Sequence, residues 1–205
     1  MQGTRKERER EFKRREILSA ATEIIAAKGF NNATLEEIAE ASEFGKGTLY
    51  NYFQNKQEIY VAIMEDIFET FITSLKKIDE ECDNAKDFFR AVIRYMVSYC
   101  VNNPSAFQIM AQKRMSAIEE KPESISPKIK MLLDEGQKIQ VKKIEKAIKA
   151  KEIRNIDPNK LMDLIRGMTF SYVYHQLACH KGVEFNVDDE SEYVVSVLLN
   201  GIVVK

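Results

Sequence analysis

The chain has 205 residues, of which 44% are hydrophobic and 31% charged, and its formal net charge is −1. This composition is ordinary for a folded protein, and the chain as a whole is no polycation. No run approaches the ~18 apolar residues of a membrane span, and the charged start lacks the apolar core of a signal peptide. Cys82, Cys100 and Cys179 are odd in number and widely spaced. We therefore expect a cytoplasmic protein without disulfides and without a membrane partner.

The first predicted element is an amphipathic helix from Arg8 to Lys28, because its apolar residues recur at steps of three and four. Gly29 occupies the position where such a helix commonly ends. Residues 1–15 are strongly basic, with seven Lys or Arg against three Glu. These cations could lie along the minor groove or the phosphate backbone of DNA. The alternative is a solvated helix start, in which the interleaved glutamates pair with them.

The block from Thr34 to Lys56 predicts two short helices joined by a tight turn. Thr34 followed by Glu37 is a capping box that begins the first helix. The second helix carries groups that can touch DNA, namely Lys46, Thr48, Tyr50, Asn51 and Tyr52. A helix-turn-helix presents its second helix to the major groove, where residues near the helix N-terminus reach the base edges. The block therefore predicts a DNA-binding helix-turn-helix.

The remainder of the chain also predicts helices only. Asn55 and Glu58 favour a second capping box, at the start of a long helix that extends to about Glu80. Asp157-Pro158 is a strong start signal, because Asp is a preferred N-cap and Pro is favoured at the first helical position. Further helices are predicted over 84–102, 104–118, 126–152, 157–181 and 188–204. The absence of alternating patterns predicts an all-α fold with about nine helices.

Many residues at fixed spacing match one known pattern. They are Ile17-Leu18-Ser19-Ala20-Ala21, Lys28-Gly29-Phe30, Thr34, Ile38-Ala39, Lys46-Gly47-Thr48-Leu49-Tyr50, Tyr52-Phe53 and Lys56. In these residues the chain resembles the tetracycline-repressor (TetR/AcrR) family of bacterial transcription regulators, over residues 12–60. Two positions depart from the family pattern, since Glu43 stands where such proteins often carry Gly and Gly45 where Ser is common. The resemblance implies a three-helix DNA-binding head, residues 1–56, and a larger helical ligand-binding and dimerisation domain, residues 57–205.

Side-chain chemistry and this resemblance together indicate which residues contact DNA. They are Thr34, Lys46, Gly47, Thr48, Tyr50, Asn51, Tyr52 and Lys56. Gly47 lets the backbone approach DNA closely, and Lys46 can reach a phosphate or a guanine edge. Thr34 and Lys56 lie at helix starts, where backbone N–H groups favour phosphate. The expected partner is a double-stranded DNA operator.

The middle of the chain is rich in aromatic and methionine side chains, which at helical spacing are more often core than ligand contacts. The family holds an inducer between helices of this part, and such sites are mostly apolar with a few polar groups. The ligand-binding candidates are Tyr95, Tyr99, Phe107, Met110, Phe170, Tyr174 and His175. The implied ligand is a hydrophobic or amphipathic small molecule, and no cofactor is expected.

The last two helices carry apolar-rich stripes that predict a homodimer. The stripe residues are Leu161, Leu164, Ile165, Met168, Tyr172 and His175, followed by Tyr193, Val194, Val197, Leu198, Gly201 and Ile202. Two such helices from each chain would form a four-helix interface, although packing within one chain is the alternative. A twofold dimer carrying two recognition helices would read a palindromic operator with half-sites about one helical turn apart.

The sequence carries no catalytic signature, and Glu-x-x-His pairs of carboxylate-bridged metal enzymes do not occur. His175, Cys179 and His180 alone make a poor metal site. We therefore predict a ligand-responsive regulator rather than an enzyme, most simply a repressor that its ligand releases from DNA. A constitutive DNA-binding regulator, and a metal or redox sensor using cysteine and histidine, stay open as alternatives.

Overall fold

A computed structural model describes residues 4–116, 126–179 and 185–202. This part of the chain contains α-helices and no β-strand, which confirms the all-α class predicted from the sequence. The helices are α1 (Arg5–Lys28), α2 (Leu35–Ala41), α3 (Lys46–Tyr50), α4 (Lys56–Glu81), α5 (Ala85–Asn102), α6 (Pro104–Ser116), α7 (Pro127–Lys149), α8 (Pro158–Cys179) and α9 (Val187–Ile202). Among these described helices, none is long and apolar enough to cross a membrane.

The predicted helix boundaries follow from caps that the structure contains. The Thr34 hydroxyl accepts the Glu37 N–H at 3.2 Å, and the Glu37 carboxylate accepts the Thr34 N–H at 3.1 Å. The Asp157 carboxylate likewise caps α8 by accepting backbone N–H groups at 2.9 and 3.2 Å. Gly29 ends α1 with φ of +79°, a conformation that side chains with a Cβ rarely adopt. These caps place the ends of α1, α2 and α8 where the sequence predicts them.

Two helix starts differ in detail from the prediction. Helix α1 begins at Arg5 rather than Arg8, because Thr4 and Glu7 form a capping box of their own. At the start of α4, the Asn55 side chain accepts the Glu58 N–H at 2.9 Å as predicted. The Glu58 carboxylate, however, accepts the Gln54 N–H at 2.8 Å instead of closing the box on Asn55.

The chain divides into two compact units. The first contains the described residues up to 67 together with those of 105–126, and the second contains those of 68–104 and from 127 onward. Helix α4 is continuous and contributes its first part to one unit and its second part to the other. The functional division into residues 1–56 and 57–205 stays a prediction.

The first unit is built on a small helical core. Ile17, Ile25, Ile38, Leu49 and Ile59 are completely buried and come from α1, α2, α3 and α4. Helix α6 belongs to the same unit. Its Gln112 amide donates to the Ala26 carbonyl of α1 at 3.2 Å, and its Ser105 hydroxyl donates to the Glu23 carboxylate at 2.8 Å. The head is therefore supported on α1 by a helix from much later in the chain.

In the second unit, α5 packs along α9 and also contacts α7 and α8. Phe88 and Phe89 of α5 are buried, and their rings meet edge to face. At the rim, the Arg90 guanidinium forms two hydrogen bonds with the Glu192 carboxylate, at 2.9 and 3.0 Å. Helices α4 and α7 approach closely at Gly136, where a Cβ would come within 2.5 Å of the Ile72 side chain. A larger residue at this position would require the end of the Ile72 side chain to shift.

A single lysine of α7 holds the C-terminal end of α4. The Lys143 ammonium donates to the carbonyls of Asp79 and Cys82 at 3.1 and 2.7 Å. It also pairs with the Asp79 carboxylate at 2.8 Å and lies 5.4 Å from the centre of the Phe88 ring. Its side chain is only 10% exposed. The last carbonyls of a helix lack intrahelical hydrogen-bond donors and carry partial negative charge. The Lys143 ammonium supplies both the donors and the opposite charge.

We predict that Lys143→Met lowers the free energy of unfolding by about 2 kcal/mol, because charged hydrogen bonds to the end of α4 are lost. Urea denaturation followed by circular dichroism measures the change. Lys142→Met is the matched control, since Lys142 is the exposed neighbour and its removal leaves those bonds intact. Equal stabilities of the two variants would show that Lys143 does not hold this helix end.

Candidate functional site

The turn between α2 and α3 is a tight left-handed turn centred on Glu43. Its φ is +58°, the Glu43 N–H donates to the Glu40 carbonyl at 3.1 Å, and the Phe44 N–H donates to the Ala39 carbonyl at 3.1 Å. This pair of hydrogen bonds is the Schellman arrangement that commonly ends a helix, usually with glycine at the left-handed residue. The departure from the family pattern at position 43 therefore places a strained residue in the turn.

The second helix of the motif has only five residues and depends on its apolar side chains for position. Leu49 is completely buried and Phe53, just beyond the helix, is 5% exposed. Lys46, Gly47, Tyr50 and Asn51 are exposed, whereas Thr48 and Tyr52 are half-buried. Burial of Leu49 thus fixes which face of α3 points outward, and that face carries most of the residues predicted to contact DNA.

Gly47 has open space around it, since a Cβ at this position would meet no atom within 4 Å. Its own unit therefore does not require glycine here. The Lys46 ammonium forms an ion pair with the Glu36 carboxylate of α2 at 2.8 Å. This hydrogen bond to Lys46 is the main reason that the pKa of Glu36 is lowered. Both side chains are more than half exposed, so the pair is accessible to a competing anion.

The structure gives Thr34 and Lys56 structural roles beside their predicted DNA contacts. The Thr34 hydroxyl caps α2. The Lys56 ammonium donates to the carbonyls of Asn31 and Ala33 at 3.0 and 2.7 Å and lies 4.7 Å from the centre of the Phe30 ring. Lys56 thereby ties the loop between α1 and α2 to the start of α4. Phosphate contacts by these two residues stay predictions.

Two of the predicted ligand residues lie together in the second unit. The Tyr95 ring is 6.0 Å from the Phe71 ring and 6.1 Å from the Tyr99 ring, measured between centres. The Tyr95 hydroxyl donates to the Thr70 carbonyl at a long 3.4 Å. Burial raises the pKa of Tyr95. Phe71, Tyr95 and Tyr99 form a half-buried aromatic cluster between α4 and α5.

The other five ligand candidates are divided between the two units. Phe107 and Met110 belong to the first unit, where Phe107 is buried. Phe170 of α8 is half-buried, whereas Tyr174 and His175 are exposed on the same helix. Their predicted role in ligand binding stays a prediction, and the exposure of Tyr174 and His175 favours a surface role.

Sequence reasoning did not single out two buried polar residues of the second unit. Gln140 on α7 and Thr169 on α8 are 2% and 1% exposed. Within the described part of the chain, neither the Gln140 Oε1 nor the Thr169 Oγ1 atom has a hydrogen-bond partner. Buried polar atoms are usually paired, so each such atom calls for an explanation. No local signal distinguishes these residues from the many exposed polar residues in the same helices.

Cysteine and histidine do not form a metal site in the described part of the chain, where no group of three or more His, Cys, Asp or Glu could hold an ion. Burial raises the pKa of the Cys100 thiol to about 12 and also raises that of Cys82. Both thiols are therefore poor sources of thiolate at neutral pH. The Cys179 side chain and His180 lie outside the described residues.

Fold and surface together define a helix-turn-helix DNA-binding protein with a helical second unit. Residues 17–63 match the family model described as bacterial regulatory proteins, tetR family. The matched part of the chain, which contains α2 and α3, therefore belongs to this family of transcription regulators.

Similar proteins share the fold over most of the chain. The transcriptional regulator RutR of Escherichia coli K12 is 26% identical over 163 residues, which cover 78% of this chain and 73% of RutR. The stearoyl-CoA complex of FadR from Bacillus subtilis has a TM-score of 0.77 at 22% identity, covering 91% of this chain and 97% of FadR. A Clostridium perfringens chain proposed to regulate fatty acid metabolism has a TM-score of 0.75 at 26% identity, covering 93% and 100% of the two chains.

We predict that Glu43→Gly raises the free energy of unfolding by about 0.5–1 kcal/mol, because glycine adopts the left-handed conformation without strain and this gain exceeds its entropic cost. The control is Glu40→Gly, in the helical conformation of α2, which should cost about 1 kcal/mol. Chemical denaturation of both variants measures these changes. A loss of stability in Glu43→Gly as large as in the control would exclude strain at this turn.

Proposed function

We propose that this protein is a ligand-responsive repressor that binds a palindromic operator as a homodimer and is released by a hydrophobic or amphipathic small molecule. The observation that carries the proposal is the outward face of α3, where Lys46, Gly47, Tyr50 and Asn51 stand exposed on a helix anchored by Leu49. Polar and basic groups on a recognition helix are the groups that read base edges in the major groove.

The dimer is supported by exposed apolar surface on the last two helices. On α8, Leu164 is 63% exposed, and the exposed or half-exposed residues that follow at helical spacing include no Asp, Glu, Lys or Arg. They are Gly167, Met168, Ser171, Tyr174, His175 and Ala178. On α9, Tyr193 and Val197 are 56% and 50% exposed. Contiguous exposed apolar surface marks an interaction site, and a second copy of the same helices fits it by forming a four-helix interface.

The ligand class follows from the character of the second unit. The half-buried cluster of Phe71, Tyr95 and Tyr99 offers apolar surface, and the unpaired Gln140 and Thr169 atoms offer buried polar partners. Ligand sites between helices combine these two kinds of surface. FadR was solved with stearoyl-CoA, so long-chain acyl-CoA is the first compound to test on this chain.

Release from DNA requires the ligand to favour one conformation over another. A ligand that shifts an operator-bound population almost completely must bind the released conformation more tightly by about 5 kcal/mol. Helix α4 contributes to both units as one continuous helix, and we propose that it carries the change to the head. A constitutive regulator would share the head but would show no response to any ligand.

The metal or redox sensor is the weaker candidate. A sensing thiol needs a lowered pKa and access to oxidant or metal, whereas Cys100 is buried and the pKa values of both described thiols are raised. Thiol titration with and without metal tests this alternative directly.

The first functional test concerns the recognition surface. The operator is first recovered from genomic fragments by binding to the wild-type protein. Lys46→Ala and Tyr50→Ala should then each weaken binding to this operator by about 1–3 kcal/mol if the contact is to a base. Lys56→Ala should also reduce affinity and the salt slope, and in addition lower the thermal stability of the protein, because it removes the tie to Asn31 and Ala33. Wild-type affinity in Lys46→Ala and Tyr50→Ala would refute the assignment of this surface.

The second functional test separates the dimer interface from the core. Val197→Asp places a charge on an exposed apolar face and should give a soluble, folded monomer, because an unpaired charge is costly to bury in a dimer. Leu198→Asp is the contrasting variant, since Leu198 is 7% exposed within its own chain and should misfold. Sedimentation of the soluble protein gives the result. An intact dimer of Val197→Asp would place the interface elsewhere.

The third functional test asks whether buried polar atoms serve a ligand. Thr169→Val removes an unpaired buried hydroxyl, so it should raise stability by about 1 kcal/mol while weakening release of the operator by stearoyl-CoA. Ser191→Ala is the control, because the Ser191 hydroxyl donates to the Asp188 carbonyl at 3.1 Å and its loss should only lower stability. Free coenzyme A controls for the nucleotide part. If Thr169→Val and wild type respond equally to stearoyl-CoA, the hydroxyl does not contact that ligand.

A further inference from the structure

The first three turns of α1 extend beyond the core of the first unit. The earliest buried residue of this helix is Ile17, whereas the helix begins at Arg5. At about 1.5 Å per residue, the helix therefore extends roughly 16 Å from Ile17 to Lys6, and none of the residues before Ile17 in this stretch is buried. The capping box of Thr4 and Glu7 keeps this extension helical from its first turn.

The face of α1 that packs into the core is apolar in the second half of the helix and mainly basic in the first half. Ile17, Ala21 and Ile25 lie on that face and are completely buried. At about 3.6 residues per turn, the same face continues backwards through Lys13 and Arg14 to Arg10 and Lys6. Glu9, Glu11 and Glu16 occupy other positions around the helix, whereas Glu7 lies at the edge of this face, in line with Ile25. The extension thus presents a basic face, defined by Lys6, Arg10, Lys13 and Arg14.

The C-terminal end of this basic face lies beside the residues that follow the recognition helix. The Arg14 guanidinium is 5.7 Å from the centre of the Phe53 ring. Phe53 directly follows Tyr52, one of the residues predicted to contact DNA. Through Arg14, the C-terminal end of the basic face therefore lies beside the segment that follows the recognition helix.

The outer cations of this face are available for a polyanion. Lys6 and Arg10 are exposed, and among the described residues neither forms a hydrogen bond or an ion pair. Lys13 is paired with Glu9 at 2.9 Å, but exposed pairs of this kind are worth only about 0–1 kcal/mol and exchange readily for another anion. A membrane surface fits less well, because interfacial helices need an apolar face and Phe12 is the one large apolar side chain among residues 5–16.

We infer that the basic face of α1 binds the phosphate backbone of operator DNA outside the major groove read by α3. Lys6 and Arg10 contact phosphates that flank the recognised half-site, and Lys13 exchanges Glu9 for a phosphate. The contact is independent of base sequence, so it lengthens the bound segment of DNA and steepens the salt dependence of binding. This inference rests on the proposed DNA-binding function.

The test compares two double variants that remove the same charge from opposite faces of the same helix. Lys6→Gln with Arg10→Gln removes the outer basic face, and Arg8→Gln with Arg15→Gln is the matched control. All four side chains are exposed, and glutamine is as good a helix former as lysine or arginine, so both proteins should fold. The probes are duplexes that carry the operator recovered by the wild-type protein and end at stepwise distances from its centre.

We expect the salt slope of log affinity to fall by about 1.8 in the Lys6 and Arg10 variant, since each phosphate contact contributes about 0.9. Raising the salt concentration from about 50 to 200 mM should reduce the affinity of both proteins. The fold reduction should be roughly ten times smaller for this variant than for the wild type. Shortening the flanks should weaken binding of the wild type and of the control, but not of this variant.

The outcomes distinguish this inference from the proposed function. Specific operator binding with the same salt slope and flank dependence in all three proteins would overturn the inference alone. Equal reductions in both double variants would show a general charge effect and also overturn it. Loss of binding to phosphatidylserine vesicles, with unchanged operator binding, would assign the basic face to membranes. If the wild-type protein binds no duplex specifically, the proposed function fails, and the inference fails with it.

Discussion

Burial of Leu49 is the packing constraint on which the proposed DNA surface depends. Helix α3 has five residues, and a helix of this length is unstable in isolation because nucleation is costly. Its conformation is held instead by the complete burial of Leu49 against a core that also contains Ile17 and Ile38, and by Phe53 just beyond the helix. Burial of Leu49 therefore determines which residues of α3 face outward. The left-handed turn at Glu43 determines the direction in which the chain enters α3.

Features that depend on nearby residues could be predicted from the sequence, whereas those that depend on distant residues could not. The caps at Thr34 and Asp157 and the end of α1 at Gly29 depend only on residues within one or two helical turns. The local sequence pattern is therefore sufficient to predict them. The contacts of Lys56 with Asn31 and Ala33 join residues more than 20 positions apart. The exposure of Tyr174 also depends on distant residues, because helical spacing alone does not determine which face of α8 packs against the other helices.

The division of the chain bears on how a ligand signal can reach the head. Helix α4 runs through both units, and α6 returns to the first unit directly after α5 of the second. The Lys143 contacts hold the far end of α4 in the second unit, while Lys56 ties its near end to the loop before α2. Helix α4 is therefore held at both ends, by Lys143 in the second unit and by Lys56 in the first.

Three lysines of the first unit illustrate two kinds of pairing, which differ in how readily a phosphate could replace the partner in a chain of net charge −1. Lys46 and Lys13 are paired with exposed carboxylates, and such pairs contribute little free energy in water. Phosphate can replace the carboxylate at little cost, so these residues are neutralised in the free protein yet available to DNA. Lys56 is bound to backbone carbonyls and an aromatic ring, which are not replaced without disrupting the loop. In the proposed recognition of DNA, Lys46 and Lys13 can therefore exchange a carboxylate for a phosphate, whereas Lys56 also maintains the structure of the loop before α2.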